Sequence, residues 1–196
     1  MSRPTGRTRI SRDKLVGVVV ALACLAFSAV GMKVYDSPEF MYVDGIRNEP
    51  ITIEQSELTV GDVAVGTRLV DDGEVKAETT GMFVVVTATL AVPGSQKVIM
   101  NKAQLITRTR TYDSWSGAVL SAGPGFADTE QLVFEVDPGQ IDDLTLEIWS
   151  AGIVHGFYAR GRIHLGITAA NAEQWRQAAA GRELPYQISG TTVALP

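Results

Sequence analysis

Between Met82 and Val92 every even position is apolar: Met82, Val84, Val86, Ala88, Leu90 and Val92. Side chains alternate faces along a strand, so this spacing predicts a strand with one buried face. Phe83 and Val85 give its other face partial apolar cover. The same period recurs at Leu132, Phe134 and Val136, at Leu144, Leu146 and Ile148, and at Ile163, Leu165 and Ile167. Weaker alternation predicts further strands over 51–59, 67–70, 74–78 and 98–111. Asp71-Asp72-Gly73 reads as a hairpin turn, while Gly94-Ser95, Gly123-Pro124-Gly125 and Asp137-Pro138-Gly139 mark loops. Roughly seven or eight short strands with no helical period among them predict a mainly all-β fold, an antiparallel sandwich over residues 51–168.

The period changes at both ends of the chain. Asn171 followed by Gln174 is a capping-box pattern, Ala-rich sequence runs to Ala180, and Gly181 suits a helix C-terminus. A short helix packing through Trp175, then an extended tail, is expected over 169–196. At the other end, 15–32 is an uncharged apolar run of 18 residues. At about 1.5 Å per residue it spans roughly 27 Å, close to the ~30 Å hydrocarbon core of a bilayer. A transmembrane signal anchor over 15–33 is expected, because a secretory signal core is shorter, about 7–15 residues. Small residues at Ala26-Phe27-Ser28 and Ala29-Val30-Gly31 leave cleavage and secretion as an alternative, and lipidation at Cys24 is a third fate. Residues 34–50, with Pro, Gly and Asp among Tyr35, Phe40 and Tyr42, read as a linker.

Charge then sets the orientation. Residues 1–14 carry Arg3, Arg7, Arg9, Arg12 and Lys14 against Asp13, a basic tail of +4 that leaves −9 on the rest of a chain whose net charge is −5. Bases ahead of an apolar run hold that flank in the cytoplasm, so the C-terminal domain is expected outside the cell membrane. A basic tip on an acidic body argues against nucleic acid as a partner, since phosphate binding needs a basic folded surface. With 45% hydrophobic and 20% charged residues the composition is that of a globular domain, not a disordered polymer. Cys24 is the one cysteine, so no intramolecular disulfide holds the body together.

Three stretches carry a family likeness: 81–92 (GMFVVVTATLAV), 105–114 (LITRTRTYDS), and 124–149, in which a Gly-x-x-x-Thr turn from Gly125 to Thr129 feeds a strand ending Phe134-Glu135-Val136. Together they resemble the telokin-like, immunoglobulin-fold extracytoplasmic domains of Gram-positive, actinobacterial anchored proteins and lipoproteins. The resemblance covers about 61–149. It implies an immunoglobulin-like β-sandwich of unknown function and brings no functional residues with it.

Candidate chemistry is sparse. His155 and His164 are the two histidines, and neither a Gly-x-Ser-x-Gly elbow nor a Cys/His pair accompanies them. Asp113 and Ser114 sit beside a strand end with nothing to orient a nucleophile. The acids of Asp71-Asp72-Gly73-Glu74 and of Asp142-Asp143 fit no calcium loop, and the histidines lack zinc spacing. No enzyme activity, cofactor or metal is expected. Arg108 and Arg110 are expected on one face of a strand, and Arg160, Arg162 and His164 on one face of another. On an acidic body such basic stripes suit lipid headgroups, anionic wall polymer or an acidic partner; the alternative is charges that keep exposed strand edges from pairing. Trp115 and Trp149 fall near strand ends, where aromatics anchor partners or plug the core. The resulting expectation is a membrane-tethered, extracytoplasmic interaction module. It would be an accessory or scaffold subunit held at the lipid bilayer and bound to another envelope membrane protein, such as a transporter or secretion complex. The alternative is a sensing domain for a wall fragment, lipid or ion, and the sequence names no small-molecule ligand.

Overall fold

The alternating positions resolve into two sheets packed face to face. The computed structural model describes residues 41–151, 159–187 and 189–196; the expected anchor over 15–33, Cys24 and His155 lie outside the described residues. In chain order the strands are β1 (Met41–Ile46), β2 (Ile51–Ile53), β3 (Ser56–Asp71), β4 (Glu74–Val92), β5 (Val98–Met100), β6 (Lys102–Ile106), β7 (Thr111–Asp113), β8 (Leu120–Ala122), β9 (Phe126–Val136), β10 (Leu144–Trp149), β11 (Ala159–Ile167), β12 (Glu183–Pro185) and β13 (Thr191–Ala194). Helix α1 (Ala172–Ala179) lies between β11 and β12. One sheet has the order β12-β3-β4-β9-β13, with β2 also paired to β3; the other runs β1-β11-β10-β6-β7, and β5 pairs with β8. Among the described residues no helix is long and apolar enough to cross a membrane.

The core follows directly from the period-two pattern. Met82, Val84, Val86, Leu90 and Val92 of β4, with Leu132, Phe134 and Val136 of β9, share one buried cluster with Leu105, Leu146, Ile148, Ile163 and Leu165 of the opposite sheet. Each such side chain contributes about 1.5–3 kcal/mol by leaving water, which is why a body without disulfides holds together. Phe83 and Val85 point the other way and join Leu69, Val133 and Leu184 in a second, smaller cluster.

Where the structure departs from the sequence reading, the cause is local. The segments expected over 67–70 and 74–78 are the far ends of β3 and β4; register shifts after Val60, Gly66 and Leu69 break the alternation there. The hairpin between them turns at Asp72 and Gly73, both at positive φ, as the Asp-Gly signal requires. The single strand expected over 98–111 is three short ones. Thr107 makes the last turn, its Oγ1 accepting the N–H groups of Thr109 at 3.3 Å and Arg110 at 3.0 Å. The stretch read as a linker contains β1, which pairs parallel with β11, so the sandwich begins at Met41 instead of residue 51. At the other end, the tail supplies β12 and β13 to opposite edges of one sheet. Helix α1 forms where expected, with Gly181 at φ 68° just past it. Asn171 does not cap it by side chain; Asn171 Oδ1 accepts from Thr168 N and its Nδ2 donates to Gly166 O, both at 2.8 Å, tying the helix start to β11.

Candidate functional site

Because Ile163, Leu165 and Ile167 point into the core, Arg160, Arg162 and His164 stand on the outward face of β11. Register then places Tyr42 beside Arg160, Glu147 of β10 beside Arg162, and Gln104 of β6 beside Glu147. Glu147 is only 2% exposed although it lies on an outer sheet face. Its Oε1 accepts from Arg162 Nε at 3.1 Å and Nη2 at 2.9 Å. Its Oε2 accepts from Gln104 Nε2 at 3.1 Å and faces Arg160 Nη1 at 3.5 Å. Each guanidinium also covers a ring: Arg160 lies 4.0 Å from the Trp149 centroid and Arg162 3.6 Å from that of Tyr42. Burial alone would pull the Arg162 pKa down; the hydrogen bond and charge of Glu147, with Tyr42 and Asp44 nearby, outweigh it and leave the pKa raised. His164 is exposed, its Nδ1 3.2 Å from Thr145 Oγ1.

This geometry changes the reading of the basic stripe. Arg160 and Arg162 share one buried carboxylate, which matches one of their two charges at its source. Nor do they guard an edge, since β11 lies between β1 and β10. Arg108 and Arg110 are not on a strand face at all. Both belong to the turn between β6 and β7, where Arg108 pairs with Asp143 at 3.0 Å and Arg110 with Asp137 at 3.6 Å. Glu147, Gln104 and Tyr42 were missed from sequence. The available signal was an acid at an outward position of the strongly apolar strand β10, and it acquires meaning only once the strand order is known.

Trp115 serves the other sheet. After β7 the chain crosses over: Ser114 bridges to Phe134, and Trp115 N–H donates to Val133 O at 2.7 Å. The indole then packs edge-on against Phe83 and Tyr186, with centroids 6.0 and 6.1 Å apart. Tyr186 belongs to the segment joining β12 to β13 across this outer face. Gln187 N–H donates to Gln131 Oε1 at 3.0 Å, Gly190 N–H to Glu130 Oε1 at 3.1 Å, and Thr192 Oγ1 to Asp128 Oδ1 at 3.2 Å. Burial, with Glu130 and Asp71 close by, pushes the Tyr186 phenol up. Glu130 is likewise raised by burial and by Asp128, against the pull of the Gly190 N–H. Nearer the start of β9 the same face is flat: Thr59, Thr89, Thr129 and Thr191 stand in register on four adjacent strands, with the Thr89 and Thr129 hydroxyls 2.9 Å apart.

Chemically, the Glu147 cluster is one buried carboxylate held between two guanidiniums and an amide, with both of its oxygens engaged. Among the described residues no three His, Cys, Asp or Glu side chains are placed to hold a metal ion. An open hollow of about 360 Å³ lies where the turn Glu54-Gln55 meets Pro93 and Gly94.

No protein-family model and no curated protein matches the sequence. Among solved structures, the chain is similar to the yjhA protein from Bacillus subtilis, with 12% identity over 78% of this chain and 99% of that one, at a TM-score of 0.42. It is also similar to an uncharacterized β-sandwich protein from Clostridium difficile 630, with 10% identity over 65% of this chain and 97% of that one, at a TM-score of 0.38.

Proposed function

We propose that this chain is a membrane-tethered, extracytoplasmic interaction module, an immunoglobulin-like sandwich serving as accessory or scaffold subunit to another envelope membrane protein. The observation that carries the reading is the joining of two parts in one sequence. A +4 tail and an 18-residue uncharged run come first, and Phe40–Pro196 then form a compact unit of their own. Apolar runs of that length, with basic residues ahead of them, hold the C-terminal part of a chain outside the cytoplasm. The outer face of β10 and β11 is tied together by Glu147, Arg160, Arg162 and Gln104, and such a preorganised face suits recognition by a partner.

The test uses the full chain in its own membrane. Protease added to intact cells should digest the body; a body protected until the cells are opened overturns the topology. Gentle solubilisation should then recover the chain with one envelope membrane protein in constant ratio. Recovery only as a solitary monomer, even after cross-linking in the intact cell, overturns the scaffold role.

A further inference from the structure

The two ends of the sandwich differ in ways that bear on the membrane. One end holds the first residue of β1, the last of β10 and the first of β6, since Met41 pairs with Ala159 and Trp149 with Lys102. Ile53 and Leu58 lie against Gly161 near the start of β11, which puts the β2–β3 turn at this same end. The end of β4 joins them there, because Glu57 pairs with Ala91, and with it come Phe126 and Ala194, paired through Val92. The opposite end is the tip of the β3–β4 hairpin, at Asp71 and Glu74.

The first end exposes large apolar side chains: Met41 at 64%, Val193 at 53%, Phe126 and Ile99. Trp149 is half-buried beside them, and Lys97 and Lys102 are exposed, against the exposed acids Glu54 and Glu57. Aromatic, aliphatic and lysine side chains together are what the headgroup layer of a bilayer favours. The hairpin tip instead gathers Asp71, Asp72 and Glu74 against Lys76, a local excess of acid that an anionic leaflet repels.

Chain length makes the choice between the ends. The apolar run stops at Met32, and eight residues separate it from Met41. Fully extended, they reach at most roughly 28 Å. The 19 residues of β4 extend roughly 60 Å from the first end to the hairpin tip. So short a tether holds the end that bears Met41 within about 28 Å of the last residue of the run, whereas the tip, roughly 60 Å away along β4, is not so held.

We propose that the end bearing Met41, Ile99, Phe126 and Val193 rests on the lipid bilayer, its apolar side chains entering the headgroup layer and Lys97 and Lys102 facing lipid phosphates. The inference rests on the tethered reading above and adds to it a docking face and a lipid partner. It leaves the hairpin tip as the part of the body farthest from the lipid.

The experiment uses the full chain with Cys24→Ser, carrying a nitroxide at Val193→Cys or, as control, at Val75→Cys on the hairpin arm; both valines are 53% exposed. The protein is placed in nanodiscs of phosphatidylcholine and phosphatidylglycerol. Relaxation by oxygen, which partitions into lipid, is compared with relaxation by a water-soluble nickel chelate. The oxygen-to-nickel ratio is expected to be several-fold higher at position 193 than at 75. Equal ratios, or a label at 193 that is immobilised yet fully open to nickel, overturn the lipid docking face. Flotation of the same labelled protein with vesicles of those lipids separates the two readings: a chain that floats, yet gives equal ratios in nanodiscs, sinks this inference alone. A chain that fails to float with vesicles sinks the tether and this inference together.

Discussion

Glu147 is the residue whose loss the fold should feel most among the charged groups. Glu147→Ala leaves Arg160, whose side chain is 13% exposed, and Arg162 without their shared carboxylate. Breaking a buried pair this way is expected to cost about 3 kcal/mol, read as a lower urea midpoint with unchanged slope. Gln104→Ala removes one neutral donor to the same oxygen and should cost about 1 kcal/mol. Glu130 supplies a pH prediction. Its folded pKa is raised, first by burial and then by Asp128, so the folded state holds the proton more tightly than the unfolded chain. The stability this confers is complete below the ordinary carboxylate range and is lost as pH rises through the raised value. Glu130→Gln still offers an oxygen to Gly190 N–H but does not titrate. Measured by urea unfolding, the variant should gain on the parent as pH rises from the ordinary carboxylate range through the raised value of Glu130. At this scale the sequence was a partial guide. Arg160, Arg162 and Trp149 were visible as a feature, but their meaning depended on Glu147, which is remote in sequence from none of them and yet is joined to them only by register.

The strands that lie between two neighbours and bury a full face are the ones the alternation marks most strongly. β4 and β9 are sandwiched between strands, bury a full face, and so carry the alternation that predicts them. β1, β12 and β13 are edge strands with few buried residues, so alternation marks them weakly; the tail reads as extended, but its pairing with β9 does not follow from pattern. Their attachments are backbone and glycine contacts instead. At Gly66 a Cβ would stand 2.6 Å from the Arg182 carbonyl and 2.7 Å from Leu184 Cγ. That carbonyl accepts from Thr67 N at 2.9 Å and Arg68 N at 3.3 Å. Gly66→Ala is therefore expected to cost about 1–3 kcal/mol by overpacking, with faster amide exchange at Thr67 and Arg68. Deleting 191–196 tests the other edge. The remaining body should stay folded, because β13 buries so little, but the bare edge of β9 over 126–129 should pair between molecules. Size-exclusion chromatography with light scattering would show the shift to oligomers, and a strictly monomeric truncation would refute the role assigned to β13.

For the whole molecule, mainly-β sandwich architecture was legible because the two sheets are built on repeated period-two segments from distant parts of the chain. The partition of the chain was less so, since β1 lies in what reads as linker. Phe40–Pro196 is expected to fold without the preceding residues and to unfold in one thermal transition with coincident near- and far-UV circular dichroism. Two separate transitions would mean that the sheets are independent, contrary to the single cluster that joins them.

The segment that carries the chain from β12 to β13 also has a consequence in time. Synthesis proceeds from the N-terminus, so β3 and β9 exist long before the residues that flank them, and β1 waits for β11 across more than about a hundred positions. Contacts so distant in sequence make folding slow, and they leave both outer edges of a growing sheet bare until the last residues arrive. A chain exported while still being made would spend that interval exposed to its neighbours. Its vulnerability to aggregation is thus concentrated in the seconds before residue 194 docks, not in the finished fold.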